Sequence, residues 1–133
     1  MPGLLRGMGF HVIWMAPPGA DGGVDIIAHP DPLGTKEPTI KVSVRRRESK
    51  ADAKDLREFV SRLHHGDVGI FFSVSGFTKE AEKETRQDNR RIRLMDLERF
   101  FDLWVEHYDK IPEESRRLLL IKPVWFLAES EGD

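Results

Sequence analysis

Hydrophobic residues change their spacing several times along this chain, and each change predicts an element. Residues 3 to 8 read as the last turn of a helix that stops at Gly9. Phe10 to Met15, an apolar run around His-Val-Ile-Trp, suits a first strand, which Pro17-Pro18-Gly19 ends because consecutive prolines cannot donate to a ladder. After a turn at 20 to 23, Val24 to His29 reads as a second strand, and the proline-rich stretch 30 to 38 as a hairpin loop. Thr39 to Arg45 alternates strictly: Ile40, Val42 and Val44 face one way, Lys41, Ser43 and Arg45 the other.

From there the period lengthens. Ser49 is expected to cap a helix running to about His64, with Asp52 as the acid of a capping box and Ala53, Leu56, Phe59, Val60 and Leu63 on one stripe. Val68 to Val74 is an unbroken apolar run, the mark of a strand buried on both faces. Thr78 caps a Glu- and Lys-rich helix that ends near Asn89, and Arg91 to Met95 forms a short strand. Asp96 caps the most amphipathic helix, whose Leu97, Phe100, Phe101, Trp104, Val105 and Tyr108 are expected in the core. Pro112 opens a last helix, and Val124 to Leu127 is a final apolar patch. A hairpin followed by strands alternating with helices predicts an α/β fold with a mixed central sheet flanked by helices. One domain over residues 1–110 is expected, with residues 111–133 as a tail packed on it or extending from it.

Composition narrows the function classes. The 133 residues hold 23 acids and 21 strong bases, so the net charge announces no nucleic-acid partner and any such site is a local patch. Lys41, Arg45, Arg46, Arg47, Lys50 and Lys54 form one within fourteen positions, opposed only by Glu48 and Asp52. They are a candidate phosphate-binding surface, or a strand edge guarded by charge against pairing. The absence of cysteine excludes disulfides, thiolate zinc sites and a cysteine nucleophile. No run of about 18 apolar residues occurs and the opening stretch is too glycine-broken for a signal sequence, so a cytoplasmic protein without a membrane partner is expected. Ser73 and Ser75 lack the preceding glycine of a nucleophile elbow, and His64 and His65 read as cations at a helix C-terminus rather than ligands.

The remaining candidate chemistry lies between the second and third strands. There Asp25, Ser43 and Arg45 supply an acid, a neutral oxygen and a cation, the raw material of a metal-dependent phosphodiesterase site. The same Asp25, with Asp21, also reads as a plain turn residue.

These residues stand in larger blocks. Gly7-Met-Gly-Phe, Ala20-Asp-Gly-Gly-Val-Asp-Ile-Ile-Ala, Ile40-Lys-Val-Ser-Val-Arg-Arg, Phe71-Phe-Ser-Val-Ser-Gly-Phe-Thr-Lys-Glu-Ala and Ile92-Arg-Leu-Met-Asp-Leu resemble, in order and spacing, Mrr-type (type IV) restriction endonuclease domains. That family belongs to the PD-(D/E)xK nuclease superfamily, and the resemblance covers about residues 7–108. It implies an αβββαβ core with a Mg²⁺ site at the second hairpin. Asp25 would bind the metal, with Ser43 and the Val44 carbonyl completing the inner shell. Ser43 stands where the family has a glutamate or glutamine and Arg45 where it has lysine, eighteen and twenty positions after Asp25. Serine brings no charge to a metal, and arginine cannot take a proton from water. The family also tends to carry an acid on the first helix, where this chain has Leu4, Leu5 and Arg6. Asp21 and Glu48 are the alternative ligands.

The resemblance therefore implies a nuclease-fold domain with DNA as partner, Mg²⁺ as cofactor if it cuts, and cleavage weakened or lost. The alternative is a non-catalytic DNA-binding or protein-interaction module on the same fold. A homodimer, or a longer multidomain protein supplying target recognition, is the expected context.

Overall fold

The structure is a computed structural model and describes residues 1–17, 23–87 and 91–119. In chain order the elements are α1 (Pro2–Gly7), β1 (His11–Met15), β2 (Ile26–His29), β3 (Ile40–Arg45), α2 (Ala53–Val60), β4 (Val68–Ser73), α3 (Lys79–Gln87), β5 (Arg91–Met95), α4 (Leu97–Glu106) and α5 (Glu113–Arg116), with a 3₁₀ turn at Tyr108–Lys110. The strands lie in the order β1-β2-β3-β4-β5, antiparallel as far as β3 and parallel from β3 to β5. The switch follows from the connections. Loops return the chain antiparallel through β1, β2 and β3, whereas α2 and α3 carry it back over the sheet to start β4 and β5 in the same direction.

Alternating side chains sort the core onto two faces of the sheet. On one, Ile26, Ala28, Ile40 and Val42 pack against Leu5 of α1. The adjacent Leu4 points away from the sheet to Trp104 of α4 and to Ile111, so α1 lies between sheet and α4. On the other face, Leu56 and Phe59 of α2 pack on Phe71 and Ile92. Neighbours on β4 divide the same way: the Phe71 ring meets Phe59 edge-on at 5.4 Å, and Phe72 meets Phe100 of α4 at 5.1 Å. The α-helices thus cover both faces of a mixed sheet, as predicted. The hairpin loop between β2 and β3 is organised by Asp31, whose carboxylate accepts from the Thr35 and Lys36 amides and the Thr35 hydroxyl. The two amide bonds hold its carboxyl well below the usual carboxylate range.

Four expectations need correction. Helix α2 is capped by Asp52, not Ser49: the Asp52 carboxylate accepts from the Asp55 amide at 2.9 Å, and Asp55 reciprocates on the Asp52 amide at 3.1 Å. The same helix stops at Val60 because the Ser61 hydroxyl donates to the Glu58 carbonyl at 2.6 Å, competing with the helical bonds there. His64 and His65 consequently sit in the turn into β4, where the Asp67 carboxylate takes the His64 amide at 2.7 Å and Gly66 adopts a φ of 85°. They do not terminate a helix. Finally, the α4 stripe is only partly core: Trp104 is buried, but Leu97, Phe101 and Val105 are 36, 42 and 59 % exposed. Helix α4 lies against α1 and Phe72 along one narrow line, so half the apolar stripe stays largely open, with Phe101 meeting only the Phe100 ring edge-on among the aromatic rings of the described residues.

The expected end of α3 near Asn89 and the patch Val124 to Leu127 lie outside the described residues. Among those described, no helix is long and apolar enough to cross a membrane.

Candidate active site

A cavity of about 710 Å³ opens at the C-terminal end of β3. Asp25, Ser43, Val44, Arg45, Arg46 and Arg47 line it, so the structure brings together the three residues expected to form the site. The helix α2 contributes Asp55, Glu58 and Phe59, and Phe71 lies beside Ser43 on β4.

Asp25 precedes β2 and is fixed by three bonds. Its amide donates to the Val42 carbonyl at 2.8 Å, its carbonyl accepts from Ala16 at 2.8 Å, and its carboxylate Oδ2 accepts from the Val44 amide at 2.6 Å. Backbone and side chain therefore bracket Ser43 from both sides. Oδ1 has no hydrogen bond among the described residues. Ser43 is 8 % exposed, and its hydroxyl likewise has no partner among the described residues.

Arg45, for which the resemblance implies a lysine, is not free. Its guanidinium donates to the Ser49 carbonyl through Nη1 and to the Ser49 hydroxyl through Nη2 at 3.1 Å, while Nε lies 3.5 Å from Asp55 Oδ2. Ser49, expected as a helix cap, instead holds this arginine. The loop beyond is pinned as well, by the Ser75 hydroxyl donating to the Arg47 carbonyl at 2.6 Å and by backbone bonds of Ala51 to Gly76 and Thr78. Asp52 feels the arrangement: its carboxyl is lowered, first by the Asp55 amide and also by the nearby Arg45 charge.

The basic residues divide. Arg46 and Arg47 line the cavity with exposed side chains, and Lys50 and Lys54 are exposed close by at the start of α2. Lys41 is not at the surface: its ammonium pairs with Asp67 at 2.7 Å and donates to the Arg62 carbonyl at 3.2 Å, so its charge is spent inside the protein. Of the alternative ligands, Glu48 is exposed in the loop after β3 and is not part of the cavity wall, and Asp21 lies outside the described residues. On α1, Leu4 and Leu5 are fully buried, so that helix offers no acid to the site.

Asp55 and Glu58 are what sequence reasoning missed. They stand three apart on α2, beside the stripe of Leu56 and Phe59, and a helical wheel would have placed them on its edge. Which edge faces β3 is set by how α2 lies on the sheet.

A divalent cation of the kind implied by the resemblance can be tested against these donors. Among the described residues no three acidic, histidine or cysteine side chains form a ready cage. Mg²⁺ seldom has one: it keeps several waters and takes one or two carboxylates together with substrate phosphate. Asp25 with a free oxygen and an unpaired Ser43 hydroxyl fit such an open site, not a closed one.

A family model described as restriction endonuclease, Mrr_cat, matches residues 1–104. No curated protein sequence matches. Among solved structures, the MspJI restriction endonuclease in complex with a 27-mer oligonucleotide is similar with a TM-score of 0.64 and 19% identity, over 84% of this chain and 26% of that one. The DNA modification-dependent restriction endonuclease AspBHI is similar with a TM-score of 0.63 and 18% identity, over 87% and 32%. A protein of unknown function, AF1548, gives 0.55 and 17%, over 91% and 68%. The chain thus spans about a quarter to a third of the length of the first two, and the likeness shows the restriction-endonuclease-like fold.

Proposed function

The chain belongs to the Mrr-type restriction endonuclease family, and from that premise we propose that it is a DNA-binding domain in which Mg²⁺-dependent phosphodiester cleavage is weakened or lost. The observation that carries this is the state of Arg45, which on the resemblance stands where the family has a lysine and is bound to Ser49 and Asp55. An always-protonated guanidinium held in place can stabilise charge developing on a phosphate but cannot accept a proton from the attacking water.

The cavity residues have separate roles. Asp25 would hold the metal, with the Ser43 hydroxyl and Val44 carbonyl beside it. A bound Mg²⁺ would supply Lewis-acid polarisation of the phosphate and a more acidic water. Asp25 is pre-oriented by the Val44 amide. Arg46 and Arg47 at the cavity wall, with Lys50 and Lys54 nearby, contact DNA phosphates and fix the duplex over the cavity. Target recognition comes from a second copy or from further domains, a reading supported by the small share of MspJI and AspBHI that the chain spans.

Fluorescence anisotropy with a labelled duplex in EDTA tests the binding. The logarithm of affinity should fall linearly with the logarithm of salt, and Arg46→Ala and Arg47→Ala should each reduce the slope by about 0.9. Binding that is undetectable or indifferent to salt contradicts the reading. It would favour the protein-interaction module, to which the exposed Leu97, Phe101 and Val105 on α4 would contribute a docking face.

A further inference from the structure

We infer that Glu58 of α2 supplies the second carboxylate of a divalent-cation site with Asp25 and the Ser43 hydroxyl, restoring from the helix the negative charge that the strand lacks at Ser43. The inference rests on reading the cavity as the nuclease-type site. Three observations lead to it.

First, Ser43 is a polar side chain more than nine-tenths buried whose hydroxyl has no partner among the described residues, and it lines the cavity. Because Ser43 lines the cavity, a ligand there can satisfy its hydroxyl. Second, the acids on the cavity wall differ in how far they are engaged. Asp55 gives its Oδ2 to the Asp52 amide and to the Arg45 guanidinium, which hold it beside a cation, whereas the Glu58 carboxylate has no hydrogen bond or ion pair among the described residues. Asp25 is bonded through Oδ2 to the Val44 amide alone and keeps Oδ1 for a ligand. Third, Glu58 stands on a fixed base with a mobile end. The adjacent Phe59 is buried against Phe71, which anchors α2 beside Ser43, while the exposed glutamate keeps a long flexible stem able to reach into the cavity.

Charge sets the expected affinity. Asp25, Asp55 and Glu58 on the wall are balanced by Arg45, Arg46 and Arg47, so a cation gains no large net attraction and should bind weakly by itself. Two free carboxylates, one hydroxyl and retained waters match the oxygen chemistry of Mg²⁺ or Mn²⁺. A phosphodiester arriving with DNA adds an anion, so cation and DNA should strengthen each other's binding.

The test is Mn²⁺ titration of the full chain without DNA, with free Mn²⁺ followed by electron paramagnetic resonance. One site is expected, weakened at least tenfold in Glu58→Gln and in Asp25→Asn and unchanged in Glu82→Gln on the exposed side of α3. Circular dichroism of each variant separates lost binding from lost folding; the isosteric Glu58→Gln change at an exposed helical position is expected to fold. Unchanged binding in Glu58→Gln, or no binding by the parent, would overturn the inference. Anisotropy in EDTA is measured on the same samples: DNA affinity that survives while Mn²⁺ binding fails sinks only the Glu58 site. Failure of both sinks the reading of the cavity itself.

Discussion

Lys41 and Asp25 face the same side of the sheet, yet one is spent on structure and the other is open to the cavity. Strand alternation fixed the direction of Lys41 but not its depth. The turn after α2 brings the Arg62 carbonyl and Asp67 over it, forming an ion pair whose side chains are 11 and 9 % exposed. Removing one member of such a pair leaves an uncompensated buried charge, which costs about 3–5 kcal/mol, whereas replacing both by apolar residues is often near neutral. Lys41→Met or Asp67→Leu alone should lower the urea midpoint steeply, and the double variant should recover most of it. Equal destabilisation by single and double variants would show that the pair is not what holds the turn. Asp25, by contrast, was legible because its neighbours form a recognisable block. The roles of Ser49 and Asp55 were not: Ser49 and Asp52 are both competent caps, and only the packed structure reveals that Ser49 is taken by Arg45 and that Asp55 lies beside the same guanidinium.

At the scale of elements, existence was easier to read than boundaries. Every strand and α-helix among the described residues was anticipated, most as a change of hydrophobic period because burial of one face imposes it, and α3 and α5 from Thr78 and Pro112 at their starts; the 3₁₀ turn at Tyr108–Lys110 was not. The ends depend on local competition between side chain and backbone, as where the Ser61 hydroxyl accompanies the end of α2 at Val60, short of the expected His64. How tightly α2 lies on β4 is set by Gly69, where an added Cβ would come within 2.8 Å of Leu63 and 2.9 Å of Phe59. Gly69→Ala should therefore destabilise by about 1–3 kcal/mol through overpacking. Because α2 carries Asp55 and Glu58, the displaced helix should also loosen the cavity. A thermal midpoint equal to that of the parent would contradict the close approach.

For the whole molecule, near-neutral net charge conceals a separation. Cations of the loop after β3 and acids of Asp25 and α2 meet around one cavity, and no sequence sum reveals that. The topology places them there: the antiparallel hairpin presents Asp25 to β3, and the first parallel crossover lays α2 across the same strand end. The family model matches residues 1–104, while the strand positions that the resemblance assigns to its chemistry hold Ser43 and Arg45. The central claim is that those two residues, not the scaffold, limit cleavage. Incubating modified and unmodified plasmid with Mg²⁺ or Mn²⁺ tests it directly. The account predicts little or no cutting by the parent and a gain of cutting in Ser43→Gln with Arg45→Lys, abolished again by adding Asp25→Ala. Efficient cutting by the parent that disappears in Asp25→Ala would contradict it.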